Sequence, residues 1–175
     1  LQQSAPSKAL PTLREQRVQV ATFKVDGNKF TALKTVPVTY SGSVTRVPAL
    51  VGSACPDMAY PNYQDWGFVK VQLDKRSFET ARAGLSHVED PLLRTMLWQS
   101  LWDGVRDGKL PLNEFIKTAL ANAPLEKDYT LLGDVLGKVG TAHYYLDAMG
   151  LQSPWAQQTR GALEEMAWKG VLANK

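Results

Sequence analysis

Residues that carry chemistry are scarce in this chain of 175 residues, which holds one cysteine, Cys55, and two histidines, His87 and His143. A single cysteine excludes an intrachain disulfide and is compatible with a reducing compartment. Cys55 sits in a loop-like VGSACPD run with no neighbouring histidine or basic cluster in sequence, which reads as an inert thiol rather than a nucleophile. The histidines lie 56 positions apart, and neither has a second histidine or a cysteine at metal-ligand spacing. A zinc site needs three or four such ligands. His87, near a helix start, reads as a cap or a solvent-facing residue, and His143, in AHYYL, as part of a helix surface or interior. There is no glycine-rich phosphate loop and no Gly-x-Ser-x-Gly elbow.

Long apolar runs are also missing, so no segment approaches the roughly 20 residues that span a bilayer. The opening LQQSAPSKALPTLREQ has no apolar core and does not read as a signal peptide. Leu1 begins inside a strand-like run and VLANK ends the chain without a stop signal, so both ends read as cut. Charge of one sign is lacking too. The 20 basic and 17 acidic residues leave a formal charge of +3 and are interspersed. Nucleic-acid binding calls for a basic face interleaved with exposed aromatics. Here most basic residues fall on the polar faces of the helices proposed below, which excludes nucleic acid as the expected partner.

What is present is ordinary globular material, 44% hydrophobic and 21% charged, able to bury a core. From Arg17, RVQVATFKV puts Val18 and Val20 on one strand face, with Phe23 and Val25 continuing it after a one-residue slip that reads as a bulge. Asp26-Gly27-Asn28 supplies a hairpin turn, Gly27 taking positive φ. KFTALKTVPVTY follows, alternating at Val36, Val38 and Tyr40, and Ser41-Gly42 turns into SVTRVPALV. Pro37 and Pro48 lack an N–H and place these strands at edges or interruptions. Residues 52–73 read as a linker with a last extended piece. Its aromatics Tyr60, Tyr63, Trp66 and Phe68 are expected to plug the seam between adjoining domains rather than bind sugar or peptide.

Helical spacing takes over from residue 74. Asp74 or Ser77 caps a first helix, Ser86 and Glu89 have capping-box spacing, and Asp90-Pro91 is an N-cap followed by proline. Over 91–106, Leu93, Leu97 and Leu101 form one line and Trp98, Trp102 and Val105 a neighbouring one. That breadth predicts a helix buried on two sides. A shorter helix covers 113–121. The next runs from Asp128 or Thr130 to Leu146, with Leu132, Val135, Leu136, Val139 and Ala142 inward. Gly133, Gly137 and Gly140 would let a neighbouring helix approach closely. Ser153-Pro154 opens the last helix, expected to bury Trp155, Leu163, Met166 and Trp168. The acidic pairs Glu89-Asp90, Asp103/Asp107 and Glu164-Glu165 read as caps and solvated faces, with Arg106 the simplest partner for Asp103.

The fold class is therefore α+β in two segregated parts: an incomplete antiparallel β-sandwich, then an αα-superhelix or helical bundle. The expected division is 1–51 for the sandwich, 52–73 for the linker and 74–175 for the start of a helical domain. The residues alone describe a structural or binding fragment, without a catalytic or metal residue and with its binding residues unknown.

Three segments carry a resemblance: QQSAPSKALPTLREQRVQVATF at 2–23, VPALVGSACPDMAYPNYQDWGFVKVQLDKRSF at 47–78, and VEDPLLRTMLWQSLWDGVRDGKLPLNEFI at 88–116. In order and spacing they resemble the bacterial branch of the aminopeptidase N family, zinc metallopeptidases of the gluzincin type. The likeness weakens after about residue 125. It implies a parent enzyme that removes N-terminal amino acids from peptides. Zinc would be held by a His-Glu-x-x-His helix, and the free amine of the substrate by a Gly-x-Met-Glu-Asn strand. Neither motif occurs in this sequence. The resemblance thus implies a non-catalytic C-terminal fragment that positions domains and restricts access to the catalytic cleft. Its partners would be the upstream catalytic domain and, for the parent, peptide substrates. Its location would be the bacterial cytoplasm or cell envelope. The alternative is a non-enzymatic scaffold of sandwich plus bundle that binds a partner through the aromatic linker.

Overall fold

The computed structural model describes residues 1–5, 7–150 and 153–173, the last three of these as backbone only. The chain forms two compact units, residues 1–81 and 82–175. A three-stranded antiparallel sheet and five α-helices make up the described architecture, the expected α+β class.

In the first unit, β1 (Gln16–Asp26) and β2 (Lys29–Tyr40) form a hairpin, and β3 (Met58–Tyr60) pairs with the other side of β1. Gly27 takes φ +56° at the turn, as its sequence context predicts. β2 is an edge strand, which is why it tolerates Pro37. Val18, Val20, Val36, Val38 and Tyr40 share one face, over which Leu1, Val47, Leu50 and Val69 pack.

A register shift occurs where the slip predicts one, at Thr22/Phe23, but the extra residue belongs to β2. Thr22 pairs with Lys34 and Phe23 with Ala32, leaving Leu33 unopposed. β1 keeps its alternation, so Phe23 joins Ala21 on the opposite face, corresponding to Met58 and Tyr60 of β3. The expectation that Phe23 continues the Val18 face is thereby corrected.

Residues 43–51 form an isolated bridge, Gln2 with Val44, and a 3₁₀ turn at Pro48–Leu50 in place of the expected strand. Residues 68–74, expected to be extended, belong to no strand. The third strand comes from inside the predicted linker.

Helix α1 (Lys75–Gly84) starts on Asp74, whose carboxylate accepts from the Ser77 backbone N–H at 3.0 Å and from its hydroxyl at 2.6 Å. Burial alone would raise the pKa of Asp74, but these Ser77 bonds outweigh it and hold the carboxyl below its ordinary value. Ser77 in turn takes the Ala59 N–H at 2.9 Å.

In the second unit, α2 (Pro91–Arg106) is capped by Asp90, which accepts from Leu92 and Leu93, with proline at the first position as predicted. The Ser86/Glu89 capping box does not form. Ser86 lies in a 3₁₀ turn, Leu85–His87, and gives its N–H to the Asn122 side chain at 3.0 Å. Helices α3 (Leu112–Asn122), α4 (Tyr129–Ala148) and α5 (Pro154–Ala173) follow, α4 capped by Asp128.

The core of this unit is aromatic. Trp98, Trp102 and Phe115 are buried, with Trp98 edge-on to Phe115 at 6.1 Å and Trp102 tilted against it at 4.9 Å. Trp102 also stacks on Tyr145 at 12°. Leu93, Leu97 and Leu101 are buried beside them, as the double apolar line predicts. Such rings each contribute on the order of 1.5–3 kcal/mol by leaving water.

Later predictions need correction. On α4, Val135, Val139 and Ala142 are buried, but Leu136 is exposed and Leu131 takes the inward place. Among the described residues nothing lies within 4 Å of a Cβ built on Gly133, Gly137 or Gly140, so none of them uses that approach. On α5, Leu163 is buried, whereas Trp155 and Trp168 are exposed.

Candidate functional site

The densest polar constellation lies on the sheet unit and centres on Asp57. Its backbone N–H donates to the Phe23 carbonyl at 2.8 Å, and its carboxylate accepts from the Val25 N–H at 2.9 Å. Lys24 and Arg76 pair with the same carboxylate at 2.9 and 2.6 Å. The Val25 N–H, followed by Lys24 and Arg76, holds the Asp57 carboxyl well below the usual range. Thr80 donates to its carbonyl at 2.8 Å. Every polar atom of Asp57 is engaged in fastening the β1 end and the α1 start to one loop. The cluster is structural.

Cys55 is exposed, and Arg76 approaches its sulfur at 3.0 Å. Sequence reasoning finds no basic neighbour because this one lies 21 positions away.

Beside this cluster, Asn62 organises a tight loop. Its side chain is buried, donates to the Gly67 carbonyl at 2.8 Å and to Asp65 at 3.2 Å, and accepts the Gly67 N–H at 2.9 Å. Gln64 and Asp65 both take positive φ, 61° and 54°. Two consecutive non-glycine residues in that region store strain. The Gln64 side chain is tied to Gln19 at 2.6 Å. The loop projects Trp66 and Phe68 outward, Trp66 with the Arg17 guanidinium 5.8 Å from its ring and Phe68 fully exposed. Tyr60 is buried in the sheet unit and Tyr63 stacks edge-on against Phe23 at 5.8 Å. The linker aromatics therefore divide: two complete the sheet unit, and two face solvent.

The remaining sequence candidates are dispersed. His87 lies in the turn before α2. His143, on α4, reaches Asp147 at 3.5 Å and Glu164 at 3.3 Å. Asp103 is buried and takes Gln99 as its partner rather than Arg106. Glu165 pairs with Lys169, which holds its pKa below the ordinary value. Among the described residues, no three or more His, Cys, Asp or Glu side chains are grouped to hold a metal. Among them too, no helix is long and apolar enough to cross a membrane.

Residues 59–172 match the family model described as the ERAP1-like C-terminal domain. This stretch begins at β3 and takes in all five helices. The chain belongs to that family. It is also 32% identical, over 125 residues, to a protein named Aminopeptidase N from Streptomyces lividans. The match covers 71% of this chain and 15% of the relative. The expected aminopeptidase N kinship and the C-terminal placement are thus shown together. The matched region contains the aromatic core of α2 and α3, the Asn62 loop and the outward-facing Phe68.

Proposed function

We propose that this chain acts as a non-catalytic part of a zinc-dependent aminopeptidase, one that removes N-terminal amino acids from peptides. In this reading it positions the domains of the enzyme and restricts access to the cleft, admitting short or unfolded peptides. The observation that carries the reading is the family match over 59–172 together with the likeness to Aminopeptidase N. Phe68 supports it as well. A fully exposed phenylalanine beside a half-exposed tryptophan suits a surface that another part of the same polypeptide covers.

In this reading, metal binding and bond cleavage belong to a catalytic domain outside these 175 residues, since neither the His-Glu-x-x-His nor the Gly-x-Met-Glu-Asn motif occurs in the sequence. What this chain contributes is shape: a sheet unit fastened through Asp57 and a helical unit built on Trp98, Trp102 and Phe115.

A segment exchange tests the reading. The matching segment of the Streptomyces lividans protein is replaced by the one from this chain, and release of amino acids from short peptides is followed with and without a metal chelator. Chelator-sensitive release by the chimera is expected. A folded chimera that releases none, beside an active unexchanged parent, overturns the proposal. The isolated chain should hold no stoichiometric zinc, and one tightly bound equivalent would contradict the division of labour.

A further inference from the structure

We propose that residues 68–74 are a strand without its neighbour, and that an extended segment of the parent polypeptide, from outside these 175 residues, completes a ladder along it. The inference rests on the reading above that this chain is part of such a polypeptide. Exposure alternates along the stretch as it does along a strand. Val69, Val71 and Leu73 turn inward, Val71 to 7% exposure and Val69 against the Val18 face, while Phe68, Lys70, Gln72 and Asp74 turn outward. FVKVQLD holds β-branched valines and no glycine, proline or asparagine, which is the chemistry of a strand and not of a turn.

The main chain is where the neighbour is missing. Among the described residues, no hydrogen bond engages Val71, Gln72 or Leu73, and the stretch pairs with no strand of the sheet. Main-chain N–H and C=O groups beside a buried valine call for partners. An open edge takes them from an added strand, whose main chain supplies the bonds and whose alternate side chains supply the fit. Phe68, fully exposed at the head of the stretch, offers that strand an apolar contact.

The occupant is a segment of the same polypeptide. The match covers 15% of the Streptomyces lividans protein, so most of that protein's length lies outside the matched region, and a tethered segment meets the edge at high effective concentration. A second copy fits poorly. Antiparallel self-pairing about Lys70 sets two lysines opposite each other, and about Val71 it sets Phe68 opposite Asp74. About Gln72 it leaves Phe68 beyond the end of the ladder. The added segment carries apolar residues on the Val69–Val71–Leu73 face and an apolar surface for Phe68.

The test is amide hydrogen exchange over 68–74 in the 175-residue chain and in the chimera described above. In the dilute chain, Val71, Gln72 and Leu73 should exchange at their intrinsic rates, and in the folded chimera the same stretch should slow by about tenfold or more. A smaller exchange carrying only 59–74 keeps the test decisive if the larger chimera does not fold. A chimera that releases amino acids while 68–74 exchanges freely overturns the ladder and leaves the proposed function standing. One that protects 68–74 but releases nothing does the reverse. Protection already present in the dilute chain, growing with its concentration, or appearing on addition of tetraalanine gives the edge to this chain, a second copy or a peptide, and each overturns the proposal.

Discussion

Arg94 and Glu126 form a two-pronged pair inside the helical unit, with the guanidinium Nε and Nη2 each 3.0 Å from a carboxylate oxygen. Their side chains are 12% and 2% exposed. Arg94 also donates to the carbonyls of Val88 and Glu89, while Glu126 accepts the N–H groups of Lys127 and Asp128. One pair thus ties the entry of α2 to the entry of α4. Arg94→Ala leaves a buried carboxylate without its counter-charge, a loss of about 3–5 kcal/mol. Arg94→Lys should recover part of this, since a single ammonium cannot match both oxygens. Urea unfolding of the chain measures both. An alanine variant within 1 kcal/mol of the parent would show that the pair carries no weight.

Much of the order of elements was legible, and the failures have physical reasons. The aspartate caps are legible because they are local: Asp74, Asp90 and Asp128 each bind backbone N–H groups two or three residues on, whereas Ser86, with capping-box spacing, is drawn instead to the remote Asn122 side chain. The position of the bulge is legible but its strand is not, since the apolar spacing of β1 cannot reveal that Leu33 is the extra residue across the ladder. The third strand escaped because Met58–Tyr60, flanked by Pro56 and Pro61, is too short to display a period. Leu136 and Trp168 looked inward because periodicity registers apolar character and not whether a neighbour is there. Asp57 gives no warning beyond its place in the loop-like VGSACPD run, as its partners Lys24 and Arg76 are remote in sequence.

Asp57 sets an acid limit for the sheet unit. Its folded-state pKa is depressed, so its stabilising contribution is complete above the unfolded value of about 4 and is lost as the pH falls from there through the folded value. Asp74 is shifted in the same direction and adds to the effect. Asp57→Asn should be less stable than the parent at pH 7 and should lose less stability between pH 5 and 2. Urea midpoints across that range check this. Parallel curves for parent and variant would remove Asp57 as the cause.

Gly67 is closed in by the sheet. A Cβ there would lie 2.9 Å from Val18 Cγ1 and 3.3 Å from the Arg17 carbonyl oxygen. The Val18 side chain can shift, but the carbonyl belongs to β1 and cannot easily do so. Gly67→Ala should therefore destabilise the sheet unit by about 1–3 kcal/mol. In a Val18→Ala background the added penalty should shrink, because the closer of the two obstacles is gone. Additive penalties in the double variant would place the clash elsewhere.

The glycines of α4 call for the opposite expectation. Gly133, Gly137 and Gly140 lie within a helix, yet a Cβ on any of them meets open space. None takes a positive φ. Each therefore carries the helix-propensity cost of glycine, about 1 kcal/mol relative to alanine, with no close packing among the described residues to offset it. Gly137→Ala should raise the stability of the chain by up to that amount, and Gly133→Ala with Gly140→Ala should add to it. The same substitutions act differently in the proposed enzyme if another part of the polypeptide lies along this face. There an added methyl group would hold it off, and the gain measured on the chain would turn into a loss. Thermal unfolding of the chain reads the first effect. A Gly137→Ala chain less stable than the parent would mean that the face is already covered within these 175 residues.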